Sequence, residues 1–176
     1  LLREKDWAVT LPSEAEWEKA ARGGREVPNS KLQIPNQVSK AQGPMQRPGW
    51  VENPSPGRAF PWGEGADPNR ANYEDTGIGT TSAVSCFPGG ASPYGVEDLS
   101  GNVWEWTRSL YKGYPYDPED GRENLEAGGS SRRVLRGGAF YNSANGVRCA
   151  CRYLGLPDYR YRDFGFRVVV SPFRRA

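Results

Sequence analysis

One stretch of this chain reads as a helix, and the remainder is cut too finely to hold another. In "LPSEAEWEKAARGG", Ser13 stands as a cap with Glu16 three residues on, the signature of a capping box. Trp17, Ala20 and Ala21 recur at the spacing of a buried helical stripe, and Gly23 and Gly24 stop it. Elsewhere 22 Gly and 15 Pro split the sequence into short segments. "RRVLRGGAF", "GVRCACRY" and "FGFRVVVSP" read as three strands near the C-terminus. In the second, Val147, Cys149 and Cys151 share one face while Arg148, Ala150 and Arg152 share the other. There is no alternation of strand and helix and no internal repeat. The class is therefore α+β, loop-rich, with a small antiparallel sheet.

A length of 176 residues suits one domain, 1–176, with a sizeable core. Between Arg25 and Ala59 six prolines interrupt every periodicity, so 25–59 is expected to be a surface insertion pinned by Trp50. The net charge of +2 gives no footprint for nucleic acid, and the basic tail Arg174, Arg175 reads as a solvated end. No apolar run approaches the roughly 20 residues of a membrane span. With no histidine, the chain cannot build a Ser-His-Asp triad or a His-ligated metal site from its own residues. Cys86, Cys149 and Cys151 form no Cys-x-x-Cys pair and read as small core residues.

The segments "LPSEAEWEKAARGG", "FPWG", "YGVEDLSGNVWEWT", "RVLRGGAF", "VRCACR" and "GFRVV", in that order, resemble the formylglycine-generating enzyme (sulfatase-modifying factor) family. The resemblance implies a loop-rich variant of the C-type lectin fold. Family members carry a further portion ahead of this helix, so a chain starting at Leu1 is expected to lack it. The enzymes of that family oxidise a sulfatase cysteine with copper held by two cysteines. Here Asn142 stands near the first of those positions, and Ala144, Asn145 and Gly146 occupy the region of the second. Copper(I) wants soft thiolates, so no copper and no oxidase activity are expected. The resemblance also implies structural calcium. One set of ligands would be Asp98 and Glu105 with the carbonyls of Gly101 and Val103. A second would be Asn72 and the carbonyl of Tyr73, completed by Asp75 or Thr76. The alternative is that Asn102 and Glu105 tie loops together while Trp104 and Trp106 fill the core.

The residues from Phe140 to Phe164 include no Lys, Glu, Gln, Met or Trp. Those five types make up about one residue in six of the chain, so their absence by chance has a probability of about 1%. They share one property: no codon ending in C encodes them. Phe140, Tyr141, Asn142, Gly146, Cys151, Tyr153, Leu154, Gly155, Leu156, Tyr159, Tyr161, Asp163 and Phe164 could all be written NNC. The pattern resembles the variable region of a diversity-generating retroelement, in which adenines are mutated and AAC becomes NNC. Such elements act on lectin-fold proteins of bacteria, archaea and phages. Window 140–164 is then the expected ligand-binding region, with Asn145 added, and another protein's surface the expected ligand. Tyr and Phe supply contact area at low entropic cost, and Asn and Gly adaptable hydrogen bonding, as in antibody paratopes.

Overall fold

A computed structural model describes residues 7–29 and 49–171. The predicted helix is α1, Glu14–Arg22, and its capping box closes as expected: Ser13 Oγ accepts from the Glu16 amide while the Glu16 carboxylate accepts from the Ser13 amide. Gly23 ends it at φ 75°, donating to the Lys19 carbonyl. Trp17 and Ala21 are fully buried, packed with Leu99 and Cys149, and Ala20 lies half-buried beside them. Full burial of an aromatic this size is worth about 3 kcal/mol.

Among the described residues, eight short strands complete the frame. β1 (Ala8–Thr10) pairs antiparallel with β8 (Val169–Ser171), tying the two ends of the described chain together. β2 (Glu26–Pro28) pairs antiparallel with β3 (Trp50–Glu52). These two strands are the stem of the expected insertion, whose stretch 30–48 lies outside the described residues, as do Arg174 and Arg175. The Trp50 ring lies 5.8 Å from that of Tyr94.

The main sheet runs in the order β6-β5-β4-β7, with β4 at Trp104–Leu110, β5 at Arg133–Arg136, β6 at Arg152–Gly155 and β7 at Phe164–Phe166. It is mixed rather than antiparallel, because β7 lies parallel to β4. Since β6 also runs in the direction of β4, the chain leaving one edge must cross the sheet to re-enter at the other edge in the same sense. Residues 156–163 make that crossing.

Two of the three expected strands are reshaped. "GVRCACRY" begins with a 3-10 turn, Ala144–Val147, and becomes strand only from Arg152. The amide of Cys149 donates to Ala59 and that of Cys151 to Arg148, so neither is left for a sheet. Burial alternates as read as far as Cys151, with Val147 and Cys149 inward, Cys151 half-buried, and Arg148 and Ala150 outward, but Arg152, expected beside those two, turns inward to Glu14. "FGFRVVVSP" splits into β7 and β8, which serve different sheets, because Arg167 between them turns inward to Glu105. Cys86 is exposed on a loop, not in the core as expected.

Candidate functional site

The residues of β4, β5, β6 and β7 meet in two rows, one on each face. Arg152, Arg136, Glu105 and Gly165 lie side by side across the four strands, on the face toward α1. One residue along, the opposite face carries Tyr153, Leu135, Trp106 and Phe166. Period-two alternation sends every side chain of a row to one side.

The inner row is ionic. Glu14, in the first turn of α1, has no exposed surface and receives Arg152 Nη2 at 2.8 Å and Arg136 Nη1 at 3.4 Å. Arg136 is equally buried and also donates to Glu18 at 2.6 Å and to the Cys149 carbonyl at 2.7 Å. Glu105 accepts from Trp17 Nε1 at 2.6 Å and from both Nε and Nη2 of Arg167 at 2.6 Å. Arg152 is sandwiched by Tyr111 and Tyr114, at 4.6 and 4.7 Å.

The outer row is aromatic and open. Tyr153 is 50% exposed and Phe166 69%, while Leu135 between them is fully buried. Rings continue without a break: Trp104 to Tyr153 at 5.4 Å, Tyr153 to Phe164 at 6.3 Å, Phe164 to Tyr161 at 5.1 Å and Tyr161 to Tyr159 at 5.4 Å. Trp106 meets Phe164 edge-on at 5.6 Å. Tyr141 joins through its hydroxyl, which donates to Asp163 at 2.8 Å. Burial and that hydrogen bond push its phenol above the ordinary value.

The window from 140 to 164 therefore divides. Tyr141, Tyr153, Tyr159, Tyr161, Asp163 and Phe164 are gathered at this face. The other expected binding residues do not belong to it. Phe140 is 3% exposed and buried. Asn142 folds its own loop, its Oδ1 accepting from the Ala139 amide and its carbonyl from the Glu74 amide. Asn145 is exposed on the neighbouring 3-10 turn, and a side chain at Gly146 would meet Asn142 Cβ at 2.8 Å. Cys151 packs beneath the tryptophans. Leu154 follows Arg152 to the inner face, and Leu156 lines a separate cleft with Tyr111 and Arg132. A Cβ at Gly155 would stand 2.6 Å from Trp106 Cη2, so any side chain there must displace that ring. Trp104, Trp106 and Phe166 are the members of the face missed in the sequence. The parallel register of β7 with β4 brings them there, and no local pattern encodes it.

The expected calcium ligands lie in a tight loop, with Asp98, Gly101 and Asn102 all at positive φ. A Cβ at Gly101 would fall 2.1 Å from the Asn72 carbonyl, so the close approach requires glycine. Several of the donors are already engaged. Both oxygens of Glu105 hold Arg167, which also donates to the Asp98 carbonyl at 3.0 Å, and Asp98 Oδ2 accepts from the Ser85 amide. The Gly101 carbonyl accepts from the Val103 amide. Asn72 Oδ1 and the Tyr73 carbonyl both accept from Thr76 Oγ1, and Asp75 is exposed. Asn102 Oδ1 ties in Ser82 at 2.9 Å. As arranged, the first set does not fit a calcium ion, because a guanidinium supplies the positive charge at Glu105. Among the described residues no cluster of three or more His, Cys, Asp or Glu could hold a metal. Nor is any described helix long and apolar enough to cross a membrane.

Among the described residues, one α-helix, short sheets and a core divided among long loops define a loop-rich α+β protein of the formylglycine-generating-enzyme type, a variant of the C-type lectin fold. The chain belongs to the sulfatase-modifying factor family: the model for the sulfatase-modifying factor enzyme 1-like domain matches residues 5–172. It is 30% identical over 93% of its length to the inactive C-alpha-formylglycine-generating enzyme 2 of Mus musculus, of which it spans 44%. It is 31% identical over 92% of its length to the formylglycine-generating enzyme of Streptomyces coelicolor, spanning 46%. Among solved structures it is similar to Treponema denticola variable protein 1, with a TM-score of 0.59, 27% identity, and 92% and 47% of the two chains covered. The chain thus spans less than half the length of these relatives.

Proposed function

We propose that this chain is a non-catalytic ligand-binding protein that presents a diversified surface to another protein, as retroelement variable proteins do. The observation that carries the reading is the joining of Tyr141, Tyr153, Tyr159, Tyr161 and Phe164 into one solvent-facing run on a sheet whose other face is locked by buried ion pairs. Rigid aromatics on a fixed frame lose little entropy on binding. Similarity to a variable protein and to an inactive formylglycine-generating enzyme supports it.

The chemistry of the rival, a copper oxidase, is poorly served. By the family resemblance, Asn142 stands near the position of the first copper cysteine. Cys149 is fully buried, and desolvation pushes its thiol up to about 12, so it stays protonated near neutral pH. Incubation with Cu(I) and a sulfatase-type cysteine peptide is expected to leave the peptide mass unchanged. Conversion of its cysteine to an aldehyde would restore the oxidase.

Diversification requires that the exposed positions tolerate replacement. When Tyr141, Tyr153, Tyr159 and Tyr161 are randomised with NNC codons on a yeast surface, most clones are expected to display folded protein. The same randomisation at Phe140, Leu135 and Gly155 is expected to leave few. Equal failure of both libraries would overturn the reading.

A further inference from the structure

Beside the aromatic run, Pro157 and residues 159–162 of the crossover line an open cavity of about 870 Å³. That volume falls in the roughly 300–1,000 Å³ range of specific ligand pockets. Its walls are Trp106, Phe164 and Phe166 together with three arginines, Arg133, Arg160 and Arg162. The arginines have no carboxylate partner among the described residues. Arg133 donates to the carbonyls of Arg108, Asn124 and Leu125, and Arg160 to those of Pro157 and Tyr159. Arg162 lies 5.6 Å above the Phe140 ring. The nearby carboxylates do not answer them: Asp163 holds the Tyr141 hydroxyl, and Asp158 stands exposed outside the cavity walls. The inner face behaves otherwise, with Arg136, Arg152 and Arg167 each meeting a carboxylate.

We infer that this cavity takes a protein segment in which an aromatic side chain is flanked by carboxylates. The inference rests on the binding reading above and adds the chemistry of the partner. An aromatic ring finds edge and face partners on Trp106, Phe164 and Phe166. Carboxylates on either side of it complete guanidiniums that the fold leaves on carbonyls, for Arg133 and Arg160, or over a ring, for Arg162, and charge-assisted bonds to Arg are the stronger kind. A basic segment would meet three like charges in a partly apolar cleft and be repelled. A nucleic-acid strand is the less fitting anion. The chain carries a net charge of only +2, and three arginines around one pocket offer no track for a phosphate backbone.

The test is selection of random heptapeptides displayed on phage against the whole chain at physiological salt. It is repeated with Arg160→Glu/Arg162→Glu and with Tyr153→Ala/Tyr159→Ala/Tyr161→Ala, each confirmed folded by its melting curve. The expected peptides pair Trp, Phe or Tyr with Asp or Glu, lose binding to the triple alanine variant, and bind the charge-reversed variant at least tenfold more weakly. Tyrosine-dependent peptides that are neutral or basic would overturn this inference while leaving the binding reading intact. No tyrosine-dependent peptide at all would overturn both. A single-stranded oligothymidylate that outcompetes the acidic peptides would replace the proposed partner with a nucleic acid.

Discussion

The two faces of the β6-β5-β4-β7 sheet invert the usual placement of charge and oil. Toward α1, where an apolar stripe would be ordinary, stand Arg152, Arg136 and Glu105, paired with Glu14, Glu18 and Arg167. Toward solvent, where charge would be ordinary, stand Tyr153 and Phe166 with Trp106 between them. Buried ion pairs are poor stabilisers compared with apolar packing but tolerate the loss of a partner badly. An open aromatic patch adds little to stability and is the mark of an interaction surface. The inner face therefore fixes the frame, and the exposed rings of the outer face carry little of it.

The largest effect expected is on the inner face. Glu14→Ala takes from Arg152 its carboxylate and leaves the buried Arg136 with Glu18 alone, and should cost about 3–5 kcal/mol in chemical denaturation. A loss below about 1 kcal/mol would mean the row is not the anchor described. Gly155→Ala comes next, because its Cβ must displace the Trp106 ring. Overpacking of this kind costs about 1–3 kcal/mol, again read by denaturation. Replacing Tyr153, Tyr159 and Tyr161 together by Ala should lower stability by no more than about 1 kcal/mol and leave the melting temperature nearly unchanged. A loss as large as that of Glu14→Ala would make those tyrosines core and erase the contrast between faces.

Two smaller effects sharpen the account of the inner side. The Cys149 thiol is raised from its ordinary value near 9 to about 12, so the folded state keeps a proton that the unfolded chain gives up. The stability it confers is whole below about pH 9 and is lost as pH rises toward 12. Denaturation midpoints at pH 8 and pH 11 should fall more steeply for the native chain than for Cys149→Ala. Calcium titrated calorimetrically into chelator-treated protein should give no saturable heat, since Arg167 holds both Glu105 oxygens. Stoichiometric uptake would show that the guanidinium yields to the metal.

Much of this was legible in the sequence where the signal is local. The capping box of α1, the buried Trp17 and the alternation from Val147 to Cys151 are each written within a few neighbouring residues. What joins distant segments was not. Glu14 reads as an ordinary acidic residue in a first helical turn, and its burial follows only from Arg136 and Arg152, more than a hundred residues away. "FGFRVVVSP" reads as one strand because nothing nearby announces that Arg167 turns inward to Glu105. The candidate face shows the same division. Composition marked the window from Phe140 to Phe164, but not which side chains reach the surface. Phe140 and Tyr141 are neighbours with identical codon logic, yet one is buried and the other exposed.

That pairing makes the decisive measurement a sequencing one. The genomic locus should contain a near-identical repeat of the final codons beside a reverse-transcriptase gene. The account predicts AAC in that repeat at the codons of Tyr141, Tyr153, Tyr159 and Tyr161, and no AAC at Gly155, where Trp106 closes the space. A locus without repeat or reverse transcriptase would contradict the central claim and return those tyrosines to ordinary surface duty.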